Sequence, residues 1–206
     1  MALIKKRSGL IWILNKICSI LPAFFWLFLI FGFDEPSMAI TTIVGALIHE
    51  TGHIGYIILK KKLKPSIKGV ISGFRIKAGT TLSYEEEIGV YLAGPISNLI
   101  AFVTFSFAAL SLGEHFWVAA IINLATALSN LLPIEGYDGY GILAAIINKH
   151  ELGEVTMRHL SHLSSGLIFL FCILSLYFID RQGGGYWIFM IFFISMVKCI
   201  NKAIGE

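Results

Sequence analysis

Two histidines and a glutamate form a candidate catalytic pattern at residues 49–53, His49-Glu50-Thr51-Gly52-His53. On an α-helix, residues four apart lie on one face, one turn above the other, so both imidazoles can reach a single metal ion. Glu50 lies beside the pair and can accept a proton from a metal-bound water and return it to a leaving amine. The pattern therefore predicts a metal site that supports hydrolysis.

The segment around this pattern is apolar, from about residue 37 to 59. Placing a charged group at the centre of a membrane helix costs about 3 kcal/mol even on the lenient insertion scale. A surface helix, the usual explanation of such a pattern in a soluble protein, does not fit this setting. We therefore expect the three ionisable residues to have a functional role.

A catalytic zinc ion usually takes three protein ligands and leaves a fourth position for water, so a third ligand is needed. The expected depth in the membrane favours Asp138 as this ligand, because the chain returns there to the side of the membrane nearest His49. The helix is interrupted around Asp138 by Pro133, Gly136 and Gly139, and irregular backbone at membrane depth is tolerated where it is buried or lines a watery cavity. The other acidic candidates are Glu85, Glu86, Glu87, Glu135, Glu151 and Glu154.

The composition is that of an integral membrane protein. Of 206 residues, 56% are hydrophobic and only 14% charged, and the mean hydropathy is +0.79. These values exclude a secreted module, a nucleic-acid binder and an ordinary cytosolic enzyme. We predict an all-α polytopic fold with six spans of roughly membrane length, at about 10–33, 37–59, 88–112, 116–133, 163–179 and 185–200.

The basic residues predict the orientation of these spans. Of sixteen Lys and Arg residues, all but Lys16 and Arg181 fall in segments that lie on one side of a six-span protein. Cytoplasmic loops carry the excess of Lys and Arg, so both termini are expected in the cytoplasm. The run Lys5-Lys6-Arg7 before the first span is interpreted as the flank of a retained anchor.

One hydrophilic stretch, at 60–87, separates the second and third spans. Its middle, residues 73–79, alternates apolar and polar positions and is bounded by glycines, which predicts a strand in a small cytoplasmic or membrane-associated β-hairpin at 67–80. The hairpin could hold an unwound substrate by adding it to a strand edge. The alternative is a basic loop that contacts anionic lipid headgroups.

Taken together, these motifs resemble those of the site-2 protease class of intramembrane zinc metalloproteases. That class carries HExxH in one transmembrane helix and NxxPxxxxDG two core helices later, and both occur here, at His49 to His53 and at Asn130 to Gly139. A weaker family element in the intervening helix is present as Gly94-Pro95-Ile96-Ser97-Asn98. The resemblance covers residues 37–148.

The resemblance implies roles for individual residues. One zinc ion would be bound by His49, His53 and Asp138, and Glu50 would be the general acid/base. Four further residues would position the substrate or the loop near the metal: Asn98, Asn130, Pro133 and Gly139.

The resemblance also implies a three-helix core and hydrolysis of a peptide bond in or near a transmembrane segment of a membrane-tethered precursor. The helix count looks most like the compact six-helix stage IV sporulation protease group, in a bacterial membrane. The expected division is an anchor helix at 1–36, the catalytic core at 37–148 and a two-helix extension at 149–206. The expected partners are the precursor, a regulatory membrane partner and the bilayer.

Two other interpretations use the same residues. A metal-binding membrane transporter or sensor would use the ligands without hydrolysis, and Glu50→Gln separates it from a protease because only proteolysis should be lost. A different membrane metalloprotease fold would take Glu135 or Glu151 as third ligand. Comparing Asp138→Asn with Glu135→Gln tests that alternative.

Overall fold

The computed structural model describes residues 36–61, 66–70, 73–77, 82–182, 189, 192–197 and 199–200. The first helix, α1 (Pro36–Lys61), is followed by strands β1 (Ser66–Val70) and β2 (Gly73–Lys77). Four further helices are α2 (Tyr84–Leu112), α3 (Phe116–Asn130), α4 (Asp138–Lys149) and α5 (Gly153–Gln182). The predicted helical membrane fold is confirmed, whereas α4 was not predicted as a helix of its own.

Three of the described helices are long and apolar enough to cross a membrane, over Ile40–Lys60, Tyr84–Leu112 and Gly153–Arg181. The fourth predicted span, 116–133, is helical only over the 15 residues of α3, which cover about 22 Å at 1.5 Å per residue. That length is short of the ~30 Å hydrocarbon core. The predicted span at 10–33 lies outside the described residues, and the one at 185–200 is described only in part.

The two strands pair in antiparallel fashion, with Ile67 opposite Ile76 and Lys68 opposite Arg75. The strand expected from the alternation at 73–79 is β2. Within the described part of the chain the sheet consists of these two strands. Since β2 contacts α1, the sheet is attached to the helix that carries the two histidines.

Small residues allow the core helices to approach closely. Helices α1, α2 and α3 contact one another, and α4 packs against α2. A Cβ atom at Gly52 of α1 would lie 2.5 Å from the Ala93 carbonyl oxygen of α2, so the two backbones meet there. Ala101, Ala120 and Ala127 are buried in α2 and α3. Such close contacts are how membrane helices associate, since lipid is as apolar as a leucine side chain.

The ends of two helices have clear local causes. Ser83 and Glu86 form a capping box, in which the Ser83 side chain accepts from the Glu86 N–H and Glu86 accepts from the Ser83 N–H; this starts α2. Between α3 and α4, Gly136 has φ +98°, a conformation that glycine adopts without a Cβ penalty. The chain turns at Gly136, and α4 begins two residues later at Asp138.

Candidate metal centre

The two histidines of α1 lie one helical turn apart and face α2. Each is only 7% exposed, and their Nε2 atoms are 3.1 Å apart. The predicted arrangement of residues four apart on one helix face is therefore present, with both imidazoles aimed at the same point.

Asp138 completes the cluster from α4. Its Oδ2 atom lies 3.0 Å from His49 Nε2 and 3.5 Å from His53 Nε2. Ligand atoms bound tetrahedrally at 2.0–2.1 Å from a zinc ion lie about 3.3–3.4 Å apart. The three separations are close to that value, so His49, His53 and Asp138 form a possible metal site.

Hydrogen bonds on the far side of each imidazole determine its tautomer. His53 Nδ1 lies 2.7 Å from the Val90 carbonyl oxygen, which can only accept, so Nδ1 carries the hydrogen. His49 Nδ1 lies 2.8 Å from Asn98 Oδ1. In both neutral rings the Nε2 lone pair then points into the cluster, which is the form that binds a metal.

The carboxylate supplies a test of whether a cation fits this site. Asp138 Oδ2 is buried, and among the described residues it has no hydrogen-bond partner. With both imidazoles in the Nδ1–H tautomer, it faces two nitrogen lone pairs at 3.0 and 3.5 Å, so three acceptors meet without a hydrogen between them. Buried polar atoms are rarely left in this state, and a cation bound by all three atoms would satisfy them. The donor set of two imidazoles and one carboxylate suits zinc.

Gly94 gives the imidazoles room against α2. A Cβ atom there would lie 2.5 Å from His53 Nε2 and 2.7 Å from His49 Cε1. The next residue, Pro95, is fully buried inside α2 and has no N–H for the helical hydrogen bond. The Gly-Pro element therefore lies at the level of the two histidines.

The loop that precedes Asp138 is held on two sides. A Cβ atom at Gly139 would overlap the Leu131 carbonyl, so glycine lets the first turn of α4 rest on the loop backbone. The Glu135 N–H donates to Ser164 Oγ of α5 at 2.7 Å. Burial raises the pKa of the adjacent Tyr137 to about 12, so its hydroxyl stays neutral. Pro133 lies within this loop, half-buried.

The other predicted residues are placed as follows. Glu50 is half-buried and interacts electrostatically with His49, His53 and Asp138. Asn98 contacts the cluster through His49. The Asn130 side-chain amide donates to the Thr126 carbonyl of its own helix.

The alternative acidic ligands lie elsewhere. Glu135, Glu151 and Glu154 are exposed, and Glu85 pairs with Lys149 at 2.9 Å. Of the acidic residues that the structure describes, Asp138 is the one grouped with the two histidines.

One buried residue near the site was not predicted. Asn123 of α3 is fully buried, and its Oδ1 accepts from Asn98 Nδ2 at 2.8 Å. The available signal was an amide inside an apolar helix, where polar residues are costly and usually functional.

The fold is similar to that of a solved membrane protease, whereas the sequence alone finds no match. No protein-family model and no curated protein matches the sequence. Among solved structures, the chain is similar to the Site-2 Protease from Methanocaldococcus jannaschii, with 18% sequence identity and a TM-score of 0.59. The similarity covers 90% of this chain and 87% of that one. The chain therefore has the fold of the site-2 proteases.

Proposed function

We propose that this protein is an intramembrane zinc metalloprotease that hydrolyses a peptide bond in or near the transmembrane segment of a membrane-tethered precursor. The observation that carries the proposal is the convergence of His49 Nε2, His53 Nε2 and Asp138 Oδ2 within 3.5 Å. Glu50 lies beside this cluster. The fold supports the same conclusion, because a similar solved structure is a site-2 protease.

Each of these residues has a chemical role in the proposed reaction. His49, His53 and Asp138 would hold a zinc ion, which would supply a Lewis acid to polarise the scissile carbonyl and to lower the pKa of water. Glu50 accepts the proton of the attacking water on its carboxylate and donates it to the leaving amide nitrogen, a role worth about 10²–10⁴ in rate. The Nδ1 hydrogen bonds of His49 and His53 keep their Nε2 lone pairs directed at the site.

A transmembrane substrate must also expose its backbone. An α-helix uses its amides internally, so the substrate has to unwind before a peptide bond can be attacked. We propose that the β1–β2 sheet holds the extended segment by strand addition, which replaces the lost helical hydrogen bonds. Contact between β2 and α1 supports this role, because α1 carries the catalytic pattern.

Finer assignments are part of the same proposal. We expect the compact six-helix sporulation-type group, a bacterial membrane, cytoplasmic termini, and the division at residues 36 and 148. Regulated intramembrane proteolysis and maturation of exported peptides are both consistent with this chemistry.

The test compares the wild type with Glu50→Gln and Asp138→Asn. Each is co-expressed with a panel of tagged single-span membrane precursors, and the zinc content of each purified protein is measured. We expect truncated precursor only with the wild type, bound zinc in the wild type and Glu50→Gln, and loss of zinc in Asp138→Asn. If the wild type and Glu50→Gln both bind zinc and yield equal amounts of truncated precursor, the transporter or sensor would be favoured. Transport of the metal without cleavage would favour it as well.

A further inference from the structure

A buried chain of side-chain amides links α3 to the metal ligand on α1. Asn98 and Asn123 are both fully buried and lie on α2 and α3. Asn98 Nδ2 donates to the Gly45 carbonyl at 2.9 Å and to Asn123 Oδ1 at 2.8 Å. Asn98 Oδ1 faces His49 Nδ1. One amide therefore joins three helices at the level of the candidate metal site.

Two main-chain carbonyls, those of Ala119 and Gly45, determine the direction of every hydrogen bond between these amides. Asn123 Nδ2 donates to the Ala119 carbonyl at 2.9 Å, so Asn123 Oδ1 must be the atom that faces Asn98. Asn98 then has to present Nδ2 to Asn123 and to Gly45. A flipped Asn98 amide would bring its oxygen against two other oxygens and its Nδ2 against the His49 N–H.

The consequence reaches His49. Because Asn98 Oδ1 is available only as an acceptor, the His49 hydrogen is held on Nδ1 and the lone pair stays on Nε2. Partners of this kind that orient a ligating histidine usually change metal affinity 10–100-fold when mutated. Asn123 lies one hydrogen bond further from the metal site than Asn98, because it bonds Asn98 and Asn98 bonds His49.

We propose that Asn123 is a positioning residue for the metal site, acting through Asn98 to hold the His49 ring in its metal-binding tautomer and orientation. The proposal rests on the proposed function only in that His49 binds a metal. It assigns a role to a residue outside the three sequence motifs, on a helix that contributes no ligand.

The decisive variant is Asn123→Ser. Serine hydroxyls in these helices donate to the carbonyl four residues earlier, as Ser97 and Ser106 do, so Asn123→Ser retains a bond to Ala119. It removes the acceptor for Asn98, because the shorter side chain does not span the gap between the helices. Asn123→Asp is the rescue variant, since its acid form can both accept from Asn98 and donate to Ala119. Asn148→Ser, at an exposed position of α4, is the matched control.

The measurement is the affinity of each detergent-purified, full-length protein for Zn²⁺, by competition with a chromogenic chelator, together with the Co²⁺ absorption spectrum. Loss of one neutral hydrogen bond corresponds to about a three- to tenfold weaker affinity for Asn123→Ser. Asn98→Leu should weaken affinity by about 10–100-fold. Asn123→Asp and Asn148→Ser should lie within about twofold of the wild type.

The double variant distinguishes positioning from general packing. If Asn123 acts through Asn98, then Asn98→Leu/Asn123→Ser binds Zn²⁺ no more weakly than Asn98→Leu alone. An equal further loss in that background, or an unchanged affinity in folded Asn123→Ser, would overturn the proposal. Should Asn123→Ser fail to fold, a weakened Asn123→Asp would overturn it instead.

These outcomes are separate from the fate of the proposed function. A wild type that binds Zn²⁺ but cuts no precursor would count against the protease, while the affinities of the variants would still decide the role of Asn123. A wild type that binds no metal would refute both.

Discussion

Gly94→Ala should disrupt the metal site although it replaces none of the three candidate ligand residues. The added Cβ would lie 2.5 Å from His53 Nε2, whereas ordinary contacts begin at 3.4 Å, so the ring or the helix must move by about 0.9 Å, the difference of these two distances. It would also lie 2.7 Å from His49 Cε1, so neither histidine can move aside freely. Metal–ligand distances in a well-formed site lie within about 0.2 Å of their standard values, so a shift of this size should disrupt the site.

The expected loss of zinc affinity is larger than the loss caused by mutating a group that only hydrogen-bonds a ligand. Mutating outer-shell groups costs 10–100-fold in metal affinity, and displacing a ligand itself should reach at least the upper limit. We therefore expect Gly94→Ala to bind Zn²⁺ at least about 100-fold more weakly, which is about 2.7 kcal/mol. Cleavage of precursors should be lost to the same extent.

Gly55→Ala is the matched control. Gly55 lies on α1, and a Cβ atom there meets nothing within 4 Å. Replacing glycine by alanine inside a helix should stabilise the protein by about 0.5–1 kcal/mol. The assay is zinc content after dialysis against a graded chelator, with thermal unfolding to confirm that each variant is folded. Wild-type zinc affinity in Gly94→Ala would refute the close packing of both histidines on α2.

Three further predictions address the ligands, the metal and the sheet. Asp138→Asn should reduce zinc affinity and abolish cleavage, whereas Glu135→Gln should leave both near wild type; the reverse result, measured by zinc content and precursor cleavage, would identify Glu135 as the ligand. Removal of the metal by a chelator should stop cleavage and lower the unfolding temperature, with both restored by Zn²⁺, because a ligand at 100 times its Kd stabilises by about 2.7 kcal/mol; activity that persists in metal-free protein would contradict this. Ile76→Pro removes a backbone N–H from β2 and should reduce cleavage while zinc content stays unchanged, and unaltered cleavage on a gel would eliminate strand addition.

The candidate ligand cluster could be predicted from the sequence because its geometry is local or strongly constrained. His49 and His53 are four residues apart on one helix, so their convergence follows from helix geometry. Asp138 could be favoured because Pro133 and the nearby glycines predict irregular backbone, which at membrane depth is tolerated only where it is buried in protein or lines a watery cavity. The structure brings all three together.

The contacts that hold the two histidines in place could not be predicted from the sequence in the same way. The pairing of Asn98 with Asn123 depends on how α2 and α3 are rotated against each other, and no spacing within one helix encodes it. Gly94 was visible as part of a motif, but its contact with the imidazoles depends on the approach of α1. The sequence also overestimated the length of the fourth span, because the apolar run continues through Leu131 and Leu132 after the helix ends at Asn130.

Cleavage by zinc-loaded wild type and Glu50→Gln, compared in the same vesicles, tests the central claim most directly. A precursor that the wild type truncates in cells is reconstituted with each purified protein, and the zinc content of both is measured first. We predict one zinc ion per chain in both proteins and a rate at least about 100-fold lower for Glu50→Gln, as expected for loss of a general base. Equal rates at equal zinc content would contradict the assignment of Glu50 and, with it, the proposed hydrolytic mechanism.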